Sequence, residues 1–246
     1  MHPLTALGIV AAGTAAGTVN TVVGSGSLIT FPTLMAAGYS PVVANMSNNV
    51  GLVPGSASGA YGYRAELKGQ AHRVRTVGLA STLGGITGAV LLLAAPGSFK
   101  RVVPFLVLLA CLLVAVQPRL RAWLDRRGGD GRGLYFTVYA TGVYGGYFGA
   151  AQGVILMALL SIFIVDDLHR LNALKNVLAG IVNGVAAVLF ITFGTVAYAP
   201  AALIAVGSIA GGQIGARYGR RLPPQMLRAL VIGVGVIVAL KLLVAP

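Results

Sequence analysis

Asparagine side chains recur at helical spacing in two apolar segments of the chain. Asn45 and Asn49 are four positions apart, and so are Asn172 and Asn176. Side chains four positions apart lie on one face of an α-helix. Amides are costly in hydrocarbon unless they find partners, so both faces are expected to point into the protein. They either line a path for a small polar solute or hydrogen-bond across neighbouring helices.

Each asparagine pair belongs to a longer stripe on one helix face. The stripes continue in steps of three and four residues through Leu52, Ser56 and Gly59 in the first segment, and through Ala179, Asn183 and Ala186 in the second. Because the two stripes match and each follows a glycine-rich segment, we favour the interpretation in which they line a path for a solute.

Glycine-rich segments precede both asparagine stripes. The first is Gly24-Ser25-Gly26-Ser27, and the second is Gly149-Ala150-Ala151-Gln152-Gly153. Glycine lets the backbone turn and approach a ligand closely, so helix breaks are predicted at Gly24, Gly26, Gly149 and Gly153. A helix that begins at such a break directs free N–H groups and a positive dipole end inward, which favours anions. The alternative is close packing of helices.

Lys175 lies about one turn inside the second asparagine segment. A buried ammonium beside Asn172 and Asn176 would attract an anion, whereas a lysine nearer the helix end extends its side chain to the membrane surface. In the functional interpretation, donors from both halves surround a small anion and Lys175 offsets its charge. The predicted substrate-binding residues are Ser25, Ser27, Asn45, Asn48, Asn49, Gln152, Asn172, Lys175 and Asn176.

The sequence lacks the groupings that catalysis and metal binding require. It has five Asp and Glu residues, all in or beside predicted loops, three His and one Cys, Cys111. No His, Asp and Glu grouping has metal-ligand spacing, and no Ser or Cys has an apparent base. We therefore predict no catalytic residue, no metal, no cofactor and no enzymatic activity.

The composition is that of a helical membrane protein. Hydrophobic residues make up 57% of the 246 residues and charged residues 9%, against about 25% charged in soluble domains. The net charge of +13 comes mainly from Lys and Arg in short loops. Such loops are retained on the cytoplasmic side, beside anionic lipid head groups. We predict a multi-pass protein of the cell inner membrane that contacts lipids and binds no nucleic acid.

Apolar segments recur along both halves of the chain. They run over residues 4–23, 27–37, 41–62, 76–95, 102–117, 133–152, 153–165, 171–193, 200–216 and 226–244. A helix needs about 20 residues to cross a membrane, so segments 27–37 and 153–165 are too short to cross unaided. They occupy matching places in the two halves, which in transporters indicates a binding site. Whether they span the membrane or re-enter it is left open.

The two halves form an internal repeat. Asn172 follows Asn45 by 127 positions, and Gly211 follows Gly84 by the same number (172 − 45 and 211 − 84). We predict a first transmembrane repeat over residues 1–117, a cytoplasmic linker over 118–132, and a second transmembrane repeat over 133–246.

The loop charges favour an inverted relation between the repeats. Loop 64–75 is basic, whereas its copy near 191–202 carries no charge, and the copy of the connection at 96–101 adjoins the basic run 217–221. If basic loops face the cytoplasm, copies of one loop face opposite sides, with five crossings per repeat. The alternative is four crossings per repeat with re-entrant short segments, which leaves 217–221 on the outer side.

The chain resembles the TauE/SafE family of membrane permeases over essentially its whole length. In the first half the resemblance is carried by Gly24 through Pro32, Gly38, Pro41, and Ala44 through Asn48. In the second half it is carried by Asn172 through Asn176, Gly194, and Gly211 through Arg217. The resemblance implies export or uptake of small sulfur-containing anions such as sulfite or organosulfonates.

The expected fold is an all-α, polytopic transmembrane bundle of two pseudo-symmetric, inverted repeats with short helices at the glycine-rich breaks. Such a protein would act as a permease by alternating access, with its site between the repeats. The alternative is a transporter or channel for another small solute or ion. The direction of transport, the coupling ion and a homo-oligomeric state are left open.

Overall fold

The computed structural model describes residues 1–124, 131–219, 229, 231–237 and 239–240, and within these ranges the secondary structure is helical, without strands. The first half contains α1 (Pro3–Val22), α2 (Ser27–Ala36), α3 (Pro41–Gly62), α4 (Ala71–Ala94) and α5 (Pro96–Leu124). The second contains α6 (Gly131–Tyr147), α7 (Gln152–Phe163), α8 (Leu168–Phe193) and α9 (Tyr198–Tyr218). The all-α prediction is confirmed.

Several of these helices are long and apolar enough to cross a membrane. They are α1, α4, α5 over Pro96–Val116, α8 and α9. By contrast, α2 and α7 have 10 and 12 residues, about half of what a crossing needs. The prediction of a multi-pass membrane protein is confirmed, and its two short helices occupy the predicted places.

Local sequence explains where several helices begin. Pro3, Pro41 and Pro96 each open a helix, where a missing N–H costs nothing. Asp167 precedes α8 and accepts a hydrogen bond from the His169 N–H at 2.8 Å. Because α5 continues to Leu124, the predicted linker 118–132 begins as helix. The middle of that linker, 125–130, lies outside the described residues.

The first packed pair, α1 and α9, is held together by glycines. A Cβ on Gly13 would lie 2.9 Å from the Ile204 carbonyl oxygen, and one on Gly215 would lie 2.9 Å from the Thr18 oxygen. Such approaches allow only glycine, and they let the two backbones touch, as is common between membrane helices. The contacts advance together along both sequences, so α1 and α9 run parallel.

Helix α3 packs on α9 in the same direction. A Cβ on Gly51 would lie 2.8 Å from the Ala201 carbonyl oxygen, and one on Gly212 would lie 2.7 Å from the Gly55 oxygen. Helices α1, α3 and α9 therefore run parallel to one another, and all three end on the side that carries the basic loop 63–70.

A second group of helices runs the opposite way. In α4 and α6, a Cβ on Gly142 would lie 3.1 Å from the Ser81 carbonyl oxygen, and one on Gly146 would lie 3.0 Å from the Ala89 nitrogen. In α4 and α8, Gly78 faces Ile181 near one end and Gly194 faces Leu93 near the other. Helices α4, α6 and α8 are therefore mutually parallel.

The two groups meet where α3 crosses α8. Asn49 Nδ2 donates to Asn183 Oδ1 at 3.4 Å, and a Cβ on Gly180 would lie 3.5 Å from Ser56 Cβ. Because the residue numbers rise on one helix as they fall on the other, α3 and α8 are antiparallel. This crossing brings the two asparagine stripes together in the middle of the bundle.

An aromatic cluster packs beside the crossing. Phe148 makes edge-to-face contact with Phe31 at a centroid distance of 5.5 Å and lies 5.8 Å from Phe99. These rings join α2, α5 and the turn after α6 in one buried core. In the predicted segment 226–244, the described residues are helical, whereas Arg220 and Arg221 of the basic run lie outside the described residues.

Candidate substrate site

The C-terminal end of α1 receives three side chains from α8. The helix ends at Val22, so no backbone N–H of a following helical turn donates to the Asn20 and Thr21 carbonyls. Asn172 Nδ2 donates to the Thr21 oxygen at 3.1 Å, and Asn176 Nδ2 donates to the same oxygen at 3.3 Å. Lys175 completes this group. We call these α8 side chains and the α1 carbonyls the α1-end cluster.

Lys175 is buried within the α1-end cluster. It is 1% exposed, and its Nζ donates to the Asn20 oxygen at 3.2 Å and to the Thr21 oxygen at 3.3 Å. An ammonium has three N–H groups, so these two bonds leave one for another acceptor. The negative end of the α1 dipole favours a cation at this position. Lys175 therefore does not extend to the membrane surface.

A matching cluster lies at the end of α6. Asn45 Nδ2 donates to the Tyr147 carbonyl oxygen at 2.9 Å, just as Asn172 donates to the end of α1. Asn48, which occupies the position of Lys175 in the first half, donates to Ser27 Oγ at 3.1 Å and accepts a hydrogen bond from Thr30. Each cluster thus joins an asparagine of one half to a helix end of the other.

The two glycine-rich turns touch between these clusters. The Gly153 N–H donates to the Gly24 oxygen at 3.0 Å, and a Cβ on Gly24 would lie 2.5 Å from Gly153 Cα. Gly24 and Gly149 have φ of +91° and +80°, which is the conformation that favours glycine. We call this contact the Gly24–Gly153 crossing.

The other two predicted break glycines act differently. Gly26 has an ordinary helical φ of −58° and packs against Ala16, and Gly153 lies within the first turn of α7. Besides Gly149, the second turn has a positive φ at Ala151, at +60°, and not at Gly153. Gly26 and Gly153 are therefore required for close approach of backbones, not for a left-handed turn.

Buried polar atoms without a described partner are concentrated in this region. Of the eight such atoms among the described residues, two belong to Gln70 (Oε1) and Ser81 (Oγ), and the other six belong to Ser25 (Oγ), Asn45 (Oδ1), Asn49 (Oδ1), Ser56 (Oγ), Gln152 (Nε2) and Asn172 (Oδ1). Buried polar groups are normally hydrogen-bonded, so a group of exceptions indicates a place for water or a ligand. Ser25 and Gln152 directly flank the Gly24–Gly153 crossing, and both supply donors, as an anion requires.

A group of charged side chains lies on the side of the bundle where α4 and α8 begin. Asp166 forms ion pairs with Arg73 of α4 and with Arg170, the latter at 2.9 Å. Arg170 also donates to the Lys68 oxygen at 3.1 Å. The hydrogen bond from Arg73, together with the charge of Arg170, holds the pKa of Asp166 below its usual value. Among the described residues, no three His, Cys, Asp or Glu side chains form a metal-binding group.

The family model described as sulfite exporter TauE/SafE matches residues 9–242, nearly the whole chain. The chain belongs to this family. Similar proteins include the probable membrane transporter protein ORF9 of Sinorhizobium sp, which is 26% identical over 94% of this chain and 89% of the relative. The probable membrane transporter protein YfcA of Escherichia coli K12 is 27% identical over 93% of this chain and 86% of its own.

A third relative extends the comparison to another species. The probable membrane transporter protein of Haemophilus influenzae is 24% identical over 89% of this chain and 87% of its own. No solved structure matches the chain. The predicted membership of the TauE/SafE family is confirmed, and the chain is a member of a family of membrane transporters.

All nine predicted substrate residues of this TauE/SafE chain are buried, and they fall into three groups. Asn172, Lys175 and Asn176 form the α1-end cluster. Ser25 and Gln152 lie at the Gly24–Gly153 crossing. The third group lies along α3: Asn45 bonds to the end of α6, Asn48 bonds to Ser27 of α2, and Asn49 bonds to Asn183 of α8 at the crossing.

Sequence reasoning missed several hydrogen-bond partners of the predicted residues. The Asn20 and Thr21 carbonyls hold Lys175, and Thr30 holds Asn48. The signal for the first pair was their position just before Gly24, because carbonyls of the last helical turn need partners from outside the helix. No sequence signal distinguishes Thr30 from other membrane threonines, which commonly bond within their own helix.

Proposed function

We propose that this chain is a permease of the cell inner membrane for a small sulfur-containing anion, sulfite or an organosulfonate. The observation that supports this most is Lys175, a cation 1% exposed inside an apolar bundle and bonded to neutral carbonyls. An ionisable residue buried in a membrane bundle is costly and is typical of a substrate path. The description of the family as sulfite exporters agrees with a cationic site.

Helix starts support an internal repeat. Helices α3 and α8 begin at Pro41 and Leu168, and α4 and α9 begin at Ala71 and Tyr198. Both pairs of starts are separated by the 127 positions that relate the sequence motifs (168 − 41 and 198 − 71). The repeats we infer are residues 1–117 and 133–246, joined by the linker 118–132.

The helix directions support inversion of the repeats. Helix α1 packs on α9, and its counterpart α6 packs on α4, the counterpart of α9. The two pairs run in opposite directions, as do α3 and its counterpart α8. Inverted repeats give a binding site between them and two equivalent ways of opening it, which is how alternating access arises.

The donors suit an oxyanion. In our proposal the anion binds at the Gly24–Gly153 crossing, where Ser25 Oγ and Gln152 Nε2 lack described partners. The third N–H of Lys175 turns toward it and offsets its charge. Hydrogen bonds to a charged group are about twice as strong as neutral ones, which compensates the anion for its lost water. The residues near the end of α6, Ser27, Asn45, Asn48 and Asn49, line the opposite part of the path. Each solute crosses chemically unchanged.

The test is flux in proteoliposomes that contain the purified protein. Sulfite, sulfate, thiosulfate and short alkanesulfonates are offered in turn, with and without an imposed pH gradient. We expect saturable flux of at least one sulfur anion, and its response to the gradient identifies proton coupling.

The same measurement separates a permease from a channel. A channel conducts without saturation, whereas alternating access limits the rate at high substrate concentration. Flux that rises linearly with concentration would refute the permease. Saturable flux of a cation or neutral solute, with none for sulfur anions, would refute the anion assignment.

A further inference from the structure

Lys175 is the one buried side chain of the types Asp, Glu, His, Lys and Arg in the part of the chain that the structure describes. By the 127-residue relation its counterpart in the first half is Asn48 (175 − 48), which is equally buried but neutral. Asn48 bonds to Ser27 and Thr30 and cannot change its charge. The two halves therefore share a buried polar position, and one of them places an ionisable group there.

The helices packed around Lys175 bring it no opposite charge. Helices α1 and α7 contain no titratable side chain, and α3 contains Tyr61, which is 64% exposed. The described titratable side chains of α6 are tyrosines, and α4 carries His72, Arg73 and Arg75 within its first two turns. None of these groups supplies the negative charge that a buried ammonium needs as a partner.

The segments that surround the start of α8 leave Lys175 unpaired as well. Their titratable side chains are Tyr63, Arg64, Glu66, Lys68, Asp166, Asp167, His169 and Arg170. Both ion pairs among the described residues belong to Asp166, which pairs with Arg73 and Arg170. The described bonds of Lys175 Nζ go to backbone oxygens instead, so no carboxylate among the described residues balances its charge by an ion pair.

The acceptors that Lys175 contacts match the donors of a neutral amine. A neutral amine has two N–H groups, and Nζ has two described acceptors, the Asn20 oxygen at 3.2 Å and the Thr21 oxygen at 3.3 Å. An ammonium has a third N–H and a full charge, and in a buried site both require a further partner. A bound anion supplies both, so protonation of Lys175 and binding of an anion favour each other.

We propose that Lys175 carries one proton across the membrane with each anion, so that the permease is an anion–proton symporter. This rests on the proposed function, and it adds the coupling ion and the residue that binds it. Ionisable residues inside membrane bundles form the proton relays of pumps and transporters. The described residues include no buried carboxylate or histidine for this task, which leaves Lys175.

The proton is taken up and released without any change in the anion. Where the anion enters, the amine of Lys175 takes a proton from water, and the resulting ammonium donates its third N–H to the anion. Where the anion leaves, the ammonium returns the proton to water, and Nζ keeps its bonds to Asn20 and Thr21. With a monovalent anion the loaded site is neutral, which lowers the cost of moving it through an apolar bundle.

The first experiment counts protons in proteoliposomes that contain the purified full-length protein. Anion uptake is followed with a radioactive sulfur label, and the internal pH is read from a trapped fluorescent dye. Ethanesulfonate and thiosulfate stay ionised near neutral pH, and sulfite is offered at alkaline pH, where it is deprotonated, so the anions themselves bring no proton. We expect one proton to enter with each anion that shows saturable flux.

The affinity of the wild type should also depend on pH. Because a proton must bind together with the anion, we expect the half-saturation concentration of ethanesulfonate or thiosulfate to rise with pH, by up to about tenfold per unit. A half-saturation concentration that is independent of pH over the whole range in which the protein stays folded would contradict proton binding at the site.

Two substitutions of Lys175 remove the titration in opposite ways. Lys175→Arg keeps a permanent positive charge, and Lys175→Met has none. We expect the anion flux that remains in either variant to carry no proton and to ignore an imposed pH gradient, although its half-saturation concentration differs from that of the wild type. Lys68→Arg and Lys68→Met, in the exposed loop 63–70, are the matched controls and should keep one proton per anion.

Asp166 is the other described group whose titration deserves a direct test, since it joins the start of α8 to α4. Asp166→Asn should keep one proton per anion. Loss of the proton in Asp166→Asn would assign the carrier to this carboxylate and overturn the assignment to Lys175. Melting temperatures in detergent establish that each variant is folded before its flux is compared.

The outcomes separate this inference from the proposed function. Saturable anion flux without proton movement in the wild type overturns the symporter and leaves the permease standing. Proton movement with the anion in a folded Lys175→Arg or Lys175→Met protein also overturns the inference alone. The wild-type count and the Asp166→Asn variant decide the matter if neither Lys175 variant folds. Absence of saturable flux for every sulfur anion refutes the proposed function, and the inference with it.

Discussion

At the scale of single residues, the site is organised by carbonyls at a helix end. The last turn of α1 leaves carbonyls without helical donors, and Asn172, Lys175 and Asn176 supply them from α8. The asparagines alone would satisfy the Thr21 oxygen. Lys175 adds a charge that these hydrogen bonds do not require. We therefore propose that the ammonium of Lys175 interacts with the substrate.

Lys175→Met keeps the length of the side chain and removes its charge. A hydrogen bond to a charged group contributes about 1.5–3 kcal/mol, so we expect the half-saturation concentration for the transported anion to rise between about tenfold and a hundredfold. Proteoliposome flux measures this, with Lys68→Met in the exposed loop as the control. Normal flux through Lys175→Met would remove Lys175 from the mechanism.

At the scale of helices, glycine sets how closely the elements approach. The helix pairs meet backbone to backbone, and the Gly24–Gly153 crossing joins the turns of the two halves by a main-chain hydrogen bond. The short helices α2 and α7 begin at or beside this contact, and α2 is also held by the aromatic cluster through Phe31. A side chain inserted there has nowhere to go without moving the backbone.

Gly153→Ala is expected to destabilise the folded protein. The new Cβ would lie 2.5 Å from Gly24 Cα, and such overpacking costs about 1–3 kcal/mol. Gly8→Ala in α1 is the control, since its Cβ would meet no described atom within 4 Å. Melting temperatures in detergent compare the two. A Gly153→Ala protein as stable as the Gly8→Ala control would show that the crossing is not tight.

The Asp166 ion pairs join α4 to the loop before α8, and their contribution depends on pH. Arg73 and Arg170 hold the pKa of Asp166 below its unfolded value of about 3.9. Their stabilisation is therefore complete above that pH and is lost as the pH falls through the lower folded pKa. We expect Asp166→Asn to melt below the wild type near neutral pH, with a gap that narrows below about pH 4. A gap independent of pH would exclude this carboxylate as its source.

At the scale of the whole molecule, two sets of parallel helices, which run in opposite directions, meet at the crossing of α3 and α8. Helices α1, α3 and α9 end on the side of the basic loop 63–70, and α4, α6 and α8 begin there. The contact of Gly62 with Ala216 brings the ends of α3 and α9 to the same side. Lys68 of the loop and Arg217 in the last turn of α9 therefore lie at the same end of the bundle, and from the positive-inside rule we expect that end to face the cytoplasm.

Single cysteines introduced into a Cys111→Ser background test this orientation. We expect Lys68→Cys and Arg217→Cys to react with a membrane-impermeant thiol reagent only from the cytoplasmic side, because both lie at basic helix ends. Ser40→Cys, before α3, should react only from the outside. Labelling is compared between intact cells, where the reagent reaches only the outside, and permeabilised cells, where it reaches both sides. Reaction of Lys68→Cys and Arg217→Cys from opposite sides would refute the five-crossing inverted arrangement.

The sequence by itself determined the class, the family and the candidate residues. Its apolar composition indicates a membrane protein, because a chain with so few charged residues could not cover its apolar surface in water. The 3.6-residue period placed Asn45 beside Asn49 and Asn172 beside Asn176 on helix faces, and amides in hydrocarbon must turn inward. The apolar segment 41–62 likewise predicted the bounds of α3, Pro41–Gly62.

Only the tertiary structure decided how these residues combine. That Lys175 bonds to the carbonyls of Asn20 and Thr21 depends on the α1–α8 contact, which joins residues more than 150 positions apart. Likewise, Gly153 was predicted as a helix break. It lies instead within the first turn of α7, where it lets the backbone approach Gly24 closely. Local periodicity determines which face of a helix is buried, whereas the partner on that face is set by packing between distant segments, which local sequence does not encode.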